Sequence, residues 1–184
     1  AAGEGMRLQP LTKHWPKCLM PIHGKPLMEY WLSDLFEINP VSIFVNTSYL
    51  SSIVEEYLSR DRFAGRIEVL KEEVLLGTGG TLLSIKDRLR DKPTLVIHGD
   101  NWCGMKISDL IDHHQKYRPA HCTITMMTFK TLSPSSCGVV ELDTKGVVQN
   151  FYEKVSNPPG NLANAAIYLL EPEVLDILQR LPNV

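Results

Sequence analysis

"RIEVLKEEVLLGTGGTLLSIKDRLRDKPTLVIHGD", residues 66–100, is the stretch on which the fold turns. "RIEVLKEE" reads as a strand. "GTGGTLLSIKDRL" opens on glycines and becomes helical. "TLVIHGD" is a short apolar, β-branched run and reads as a buried strand ending on Asp100. The same rhythm extends both ways. Upstream, "KPLMEYWLSDLFEI" places Met28, Trp31, Leu32, Leu35 and Phe36 at the three-and-four spacing of one helix face, with Pro26 suited to the first helical position. "VSIFVN" from Val41 then reads as a strand and "LSSIVEEYL" as a helix. Downstream, "ISDLIDHHQKY" is a helix and "CTITMMTF" a strand. Strand and helix in alternation predict an α/β, Rossmann-like fold: a mostly parallel central sheet flanked by helices. From about residue 137 the pattern changes. "CGVVELDTKGVVQNFYEK" has two extended runs around Asp143–Gly146, which predicts a small β-hairpin insertion. "ANAAIYLL" is a further strand, and "EPEVLDILQRL" a helix with acidic residues in its first turn.

The 184 residues correspond to one domain by length. Lys plus Arg number 19 and Asp plus Glu 21, a net charge of −2, which argues against a general nucleic-acid binder. A local basic cluster on that neutral background suits a small anionic ligand. Cys18, Cys103, Cys122 and Cys137 form no C-x-x-C pair and match no zinc spacing. They read as reduced thiols packed as small hydrophobes in a cytoplasmic protein. No apolar run approaches the ~20 residues of a membrane helix, so no membrane partner is expected. His113 and His114 have no partner at metal spacing and read as solvated helix surface. His98 is assigned no role. Trp15 and Trp102 suit either a crevice wall or packing. Homo-oligomer formation stays open.

In a parallel sheet, ligands bind outside the carboxyl ends of the strands. Three segments fall there: the opening loop "AAGEGMRLQPLTKHWPKCLMPI" (residues 1–22), the Glu72–Gly80 loop, and Asp100. Gly3 and Gly5 let backbone turn with positive φ and bring N–H groups up to an anion. A plain turn would use the same glycines. Arg7 offers a fork of donors to phosphate, and Lys17, beside Pro16, a point charge. The loop lacks the Gly-Lys-Ser/Thr ending of a P-loop, which argues against that class of NTPase. By position alone Asp100 suits a turn or a helix N-cap.

These residues together resemble a family. "AAGEGMRLQPLT…PKCLMPIHGKPLMEYWL" is similar to the signature of the sugar-1-phosphate nucleotidyltransferases, which opens roughly A-[AG]-G-x-G-x-R-[LM]-x-P-[LV]-T, then P-K-x-[LM], then K-P-[ML]. The likeness continues through "EEVLLGTGGTL", "HGDNW", "CGVVELD", "EKV" and "NAAIYLLEPEVL", over essentially the whole chain. It is strongest toward mannose-1-phosphate and heptose-1-phosphate guanylyltransferases. The resemblance implies a nucleotidyltransferase domain over residues 1–184. Its reaction is attack of a sugar 1-phosphate on the α-phosphorus of an NTP, releasing pyrophosphate. It places Ala2, Gly3, Gly5, Arg7, Glu72, Glu73, Gly77 and Thr78 around the nucleotide. It puts Gly138, Glu153, Lys154 and Asn164 on the sugar phosphate. It gives Arg7, Lys17, Asp100 and Lys154 catalytic parts, with Asp100 a ligand to Mg²⁺.

Glu72 and Glu73 bear on the base. A carboxylate only accepts hydrogen bonds. Guanine's Watson–Crick edge offers adjacent N–H donors, whereas uracil and thymine offer one donor between two acceptors. GTP is therefore favoured over UTP and dTTP. CTP stays open, and the alternative is that both glutamates are solvated loop charges. The chain departs from the pattern in two places: "EKV" stands for E-K-P, and Ala166 stands where the family often has glycine. The family's first strand and its second metal aspartate fall outside residues 1–184, so an apolar strand is expected before Ala1 in the natural protein. A non-catalytic regulatory subunit of the same fold is the alternative, against which the intact Arg7, Lys17, Asp100 and Lys154 stand.

Overall fold

The computed structural model describes residues 2–182. The chain groups into two compact units. Unit 1 takes Ala1–Arg88, His98–Asp109 and Leu178–Val184, and unit 2 takes Leu89–Ile97 and Leu110–Ile177.

Unit 1 begins with the opening loop, which is ordered by three single 3-10 turns at Met6–Leu8, Leu11–Lys13 and Lys17–Leu19. Two very short strands, β1 (Pro21–Ile22) and β2 (Lys25–Pro26), then pair antiparallel around His23 and Gly24, both at positive φ. Helix α1 (Leu27–Ile38) follows at once and buries Leu27, Met28, Trp31 and Leu32, the face its spacing predicts. Asn39 ends it in the left-handed region, with Pro40 next, a usual way to stop a helix. Strand β3 (Phe44–Thr47), helix α2 (Ser51–Leu58) and strand β4 (Glu68–Lys71) form a strand–helix–strand crossover. β3 and β4 therefore pair in parallel, from Phe44↔Glu68 to Thr47↔Lys71. Helices α3 (Gly77–Ser84) and α4 (Lys86–Leu89) come next. The core is a cluster of Cys18, Leu19, Met28, Leu32, Val54, Tyr57, Leu58 and Phe63. Cys18 and Leu19 thus root the opening loop in the same core as α1 and α2. Each large apolar side chain so buried contributes roughly 1.5–3 kcal/mol.

Unit 2 is built on strands β5 (Thr94–Ile97), β6 (Ile124–Lys130), β7 (Gly138–Leu142), β8 (Val148–Glu153) and β9 (Leu162–Leu170), with α5 (Ile107–Tyr117) before β6 and α6 (Glu173–Gln179) after β9. β9 is the central strand. β6 runs along one edge of it; β5 and the β7–β8 hairpin lie on the other. β5 and β6 are each antiparallel to β9 and hence parallel to one another, as a helical crossover requires. Every pairing in this sheet is antiparallel: the short hairpin link reverses the chain from β7 to β8, and β8 and β9 flank β7 and so run parallel to each other. The hairpin appears where the sequence pattern puts it.

One expectation fails in this unit. His113 is exposed, but His114 is 3% exposed rather than solvated. Its ring nitrogens lie 2.7 Å from Thr125 Oγ1 and 2.8 Å from Glu171 Oε1, and Arg118 donates to the same Glu171 oxygen at 2.6 Å. A polar residue in the buried stripe of α5 is tolerated because both its nitrogens are partnered.

Candidate functional site

In unit 1 the opening loop is held from beneath. Gly5 has φ 63, and a Cβ there would fall 3.0 Å from Thr12 Cγ2 and 3.2 Å from Lys17 Cβ. Only glycine meets both conditions. Buried Thr12 donates its hydroxyl to the Gly5 carbonyl at 2.9 Å. Tyr49 then fastens the loop twice: its hydroxyl donates to the Thr12 carbonyl at 2.9 Å, and its N–H to the carbonyl of buried Ala2 at 3.4 Å. Gly3 is exposed, with open space on its side-chain side.

Asp100 sits in a turn just past β5, closed by the Asn101 N–H donating to the His98 carbonyl at 3.0 Å. Trp31 of α1 pins the turn by donating its indole N–H to the Asn101 carbonyl at 2.7 Å. Lys17 Nζ donates to Asp100 Oδ2 at 2.7 Å. Burial works to raise the Asp100 pKa, but the hydrogen bond and charge of Lys17 outweigh it and hold the carboxyl below its ordinary value. Gly5, Met6, Arg7, Leu8, Lys17 and Asp100 line one cavity of about 240 Å³. A guanidinium, an ammonium, backbone turned by glycine and an ionised carboxylate thus share a single hollow. That arrangement suits a polyphosphate. Asp100 also fits one hard divalent cation, as a lone oxygen ligand whose other positions fall to phosphates and water. Among the described residues no group of three His, Cys, Asp or Glu would hold a metal by itself.

The Glu72–Gly80 loop connects to this turn through Thr78, whose Oγ1 lies 3.2 Å from His98 Nε2. Burial lowers the His98 pKa. The structure separates the two glutamates. Glu72 is 8% exposed and its carboxylate is occupied inside the loop. It accepts from Thr81 Oγ1 at 2.5 Å, Asn46 Nδ2 at 3.2 Å and the Leu76 N–H at 3.2 Å. Burial would raise its pKa, yet these donors prevail and keep it below the usual carboxylate value. Glu73 is exposed. Both border a groove of about 550 Å³ with Leu70, Lys71, Val74 and Leu76. Gly77, at φ 72, turns the chain into α3, and Thr78 is exposed beside it.

In unit 2 the pleat collects the residues expected on the sugar phosphate. Gly138 pairs with Glu153 and Val139 with both Tyr152 and Ala163. Successive side chains alternate between faces, so Gly138, Glu153 and Asn164 share one face of the sheet. Lys154 follows at φ 50, its N–H donating to the Cys137 carbonyl and its Nζ lying 3.0 Å from Glu153 Oε1. Asn164 donates Nδ2 to the Tyr168 hydroxyl at 2.6 Å and accepts from the Ala166 N–H at 2.8 Å.

Residues 1–183 match the nucleotidyl transferase family. The chain belongs to that family. It is 31% identical over 175 residues to mannose-1-phosphate guanylyltransferase of Mycobacterium tuberculosis, covering 95% of this chain and 48% of that protein. It is 32% identical to a probable mannose-1-phosphate guanylyltransferase 3 of Oryza sativa, over 98% of this chain and 51% of the other. It is 34% identical to the bifunctional protein GlmU of Methanococcus maripaludis, over 98% and 41%. The chain therefore spans about half the length of these relatives. Among solved structures it is similar to a putative glucose-1-phosphate thymidylyltransferase from Bacillus anthracis, with a TM-score of 0.84 at 21% identity, over 98% of this chain and 73% of that one. A UDP-glucose pyrophosphorylase complexed with UDP-glucose gives 0.80 at 21%, over 98% and 77%. These two likenesses bear on the nucleotidyl transferase fold.

Several contributors to the site carry no local signal. Thr12, Tyr49 and Trp31 act through partners 7, 37 and 70 residues away. Thr81 and Asn46 converge on Glu72 from α3 and β3. Only a folded chain reveals them.

Proposed function

We propose that this protein is a sugar-1-phosphate nucleotidyltransferase that joins an NTP to a sugar 1-phosphate and releases pyrophosphate. The observation that carries this reading is the cavity shared by Gly5, Arg7, Lys17 and Asp100. Arg7 and Lys17 neutralise the triphosphate and favour the charge that builds on the leaving pyrophosphate. Ala2, Gly3 and Gly5 supply backbone against the phosphates. In unit 2, Lys154 takes the phosphate of the sugar, and Glu153 accepts from its hydroxyls. Asn164 and the Gly138 backbone complete that set. Asp100, ionised beside Lys17, is the residue that would hold Mg²⁺, which when bound draws charge from the phosphate oxygens.

The favoured base is guanine and the favoured sugar phosphates are mannose-1-phosphate-like or heptose-1-phosphate-like; guanine and mannose 1-phosphate are in keeping with the names of two relatives. Glu73, exposed at the groove it borders with Leu70, Val74 and Leu76, is the carboxylate available to guanine's donors. Glu72 shapes the loop that presents it. The four free cysteines suit a cytoplasmic setting. Among the described residues, no helix is long and apolar enough to cross a membrane.

The test is pyrophosphate release by the protein with each of GTP, UTP, CTP and dTTP, Mg²⁺ and a panel of sugar 1-phosphates. Release with GTP and mannose or heptose 1-phosphate is expected. Silence with every pair would overturn this reading, in favour of a non-catalytic subunit or a transferase acting on another phosphorylated alcohol or a cofactor. Glu73→Gln is expected to narrow the preference for GTP over UTP. An unchanged preference would reject the base assignment.

A further inference from the structure

We infer that Phe151 is the platform on which the sugar ring of the sugar 1-phosphate lies, and so a residue that sets which sugars are accepted. The inference rests on the proposed transferase reading and deepens it.

Phe151 pairs with Val140 across the β7–β8 hairpin, and it lies two residues before Glu153. The pleat therefore puts its side chain on the face that carries Gly138, Glu153 and Asn164. A Cβ on Gly138 would stand 2.6 Å from Phe151 Cζ and 2.7 Å from Glu153 Oε2. The tip of an aromatic ring and a carboxylate oxygen thus meet over one bare glycine. Covering a glycine with an aromatic ring is itself a known way to mend a sheet. That role engages the tip of the ring, Cζ and Cε1. Phe151 remains 45% exposed, although its cross-strand partner Val140 is 4% exposed. An aromatic surface stays open beside the acceptor and within the reach of Lys154, whose Nζ is 3.0 Å from Glu153 Oε1.

Such a trio matches a pyranose 1-phosphate part by part. A pyranose has an apolar face of C–H groups, which packs on an aromatic face. Its hydroxyls donate to a carboxylate, and its phosphate takes a cation. Apolar surface with a few placed polar groups is the usual make-up of a small-molecule site. Because the ring meets the sugar face directly, the positions of axial hydroxyls decide which sugars lie flat.

The test compares Phe151→Ala, Phe151→Leu and Phe151→Trp with the wild type, measuring kcat and separate KM values for GTP and for the sugar 1-phosphate, with Tm alongside. Phe151→Ala and Phe151→Leu are expected to raise the sugar-phosphate KM about tenfold, leaving the GTP KM unchanged. Phe151→Trp is expected to restore it and to reorder preference among sugars. A leucine variant equal to the wild type would reduce Phe151 to apolar packing. Parallel rises in both KM values with a fallen Tm would reduce it to a sheet-mending residue. Either result overturns the inference while the transferase reading stands. A wild type inert toward every sugar 1-phosphate overturns both.

Discussion

Ala166 shows how one residue's backbone carries a family preference. It stands at φ 57, where an L side chain is strained by roughly 1–2 kcal/mol. The position lies in β9 where the pairing with β6 skips, between Met126↔Tyr168 and Thr128↔Asn164. Asn164 holds the irregularity by accepting from the Ala166 N–H. Glycine at this position therefore answers a conformational demand. Ala166→Gly is expected to stabilise the protein by about 0.5–1 kcal/mol, after allowing for glycine's greater freedom in the unfolded chain. Chemical denaturation reads this directly, and an unchanged or lower midpoint would refute the strain argument. Gly138 is the opposite case. Its crowding comes from side-chain ends, Phe151 Cζ and Glu153 Oε2, and not from backbone. Gly138→Ala is expected to cost little stability yet to raise the sugar-phosphate KM, since both side chains must swing aside. A large fall in Tm with normal kinetics would contradict that. Cys18 supplies a third residue-level test. It is 2% exposed, and burial pushes its thiol up to about 11. At pH 8 a thiol reagent should label Cys18 only on unfolding, after the three partly exposed cysteines, as peptide mapping would show.

At the scale of elements, the Glu72–Thr81 segment behaves as one piece because a single carboxylate collects donors from β3, the loop and α3. Charge-assisted bonds of this kind are worth about 1.5–3 kcal/mol each at most, so Glu72→Gln should destabilise by about 1–2 kcal/mol at pH 7. The folded-state pKa of Glu72 is depressed. Its contribution is then full above the unfolded glutamate value of about 4.3 and is lost as pH falls through the lower folded value. The stability gap between wild type and variant should hold from pH 8 to 5 and close below about pH 4. A gap that persists in acid would show that packing, rather than charge, holds the loop. The same segment shows what was legible in sequence. α3, β4 and β5 follow from periodicity and from β-branched runs, because local pattern and fold agree there. The β1–β2 pair, two residues a side, is too short to leave a period. The reversal of β9 depends on link geometry, and the burial of His114 on partners from β6 and the β9–α6 link. Glu72 and Glu73 are adjacent and chemically alike, so only the donors around Glu72 reveal that its carboxylate is occupied within the loop.

At the scale of the molecule, the two units divide the candidate machinery. Arg7, Lys17, Asp100 and the Glu72–Gly80 loop belong to unit 1, whereas Gly138, Glu153, Lys154 and Asn164 belong to unit 2. In unit 1, Gly3, Gly5, Arg7 and Lys17 cluster within the first 22 positions because a phosphate grip is made largely of contiguous backbone, whereas the Glu72–Gly80 loop and Asp100 join them only through the fold. The unit 2 set is spread over 138–164 because a sheet face draws alternate residues from neighbouring strands. This division predicts two separable ligand footprints. A bound ligand suppresses local opening wherever it contacts the native state. In hydrogen exchange followed by mass spectrometry, GTP with Mg²⁺ should slow amides in residues 3–8 and 72–80. Mannose 1-phosphate alone should slow amides around Gly138 and in residues 151–154 and 164–166. Exchange within β4 and along β5 should change little, since those backbones are already paired. Protection of the hairpin by GTP alone, or of the opening loop by the sugar phosphate alone, would overturn the assignment of one substrate to each unit.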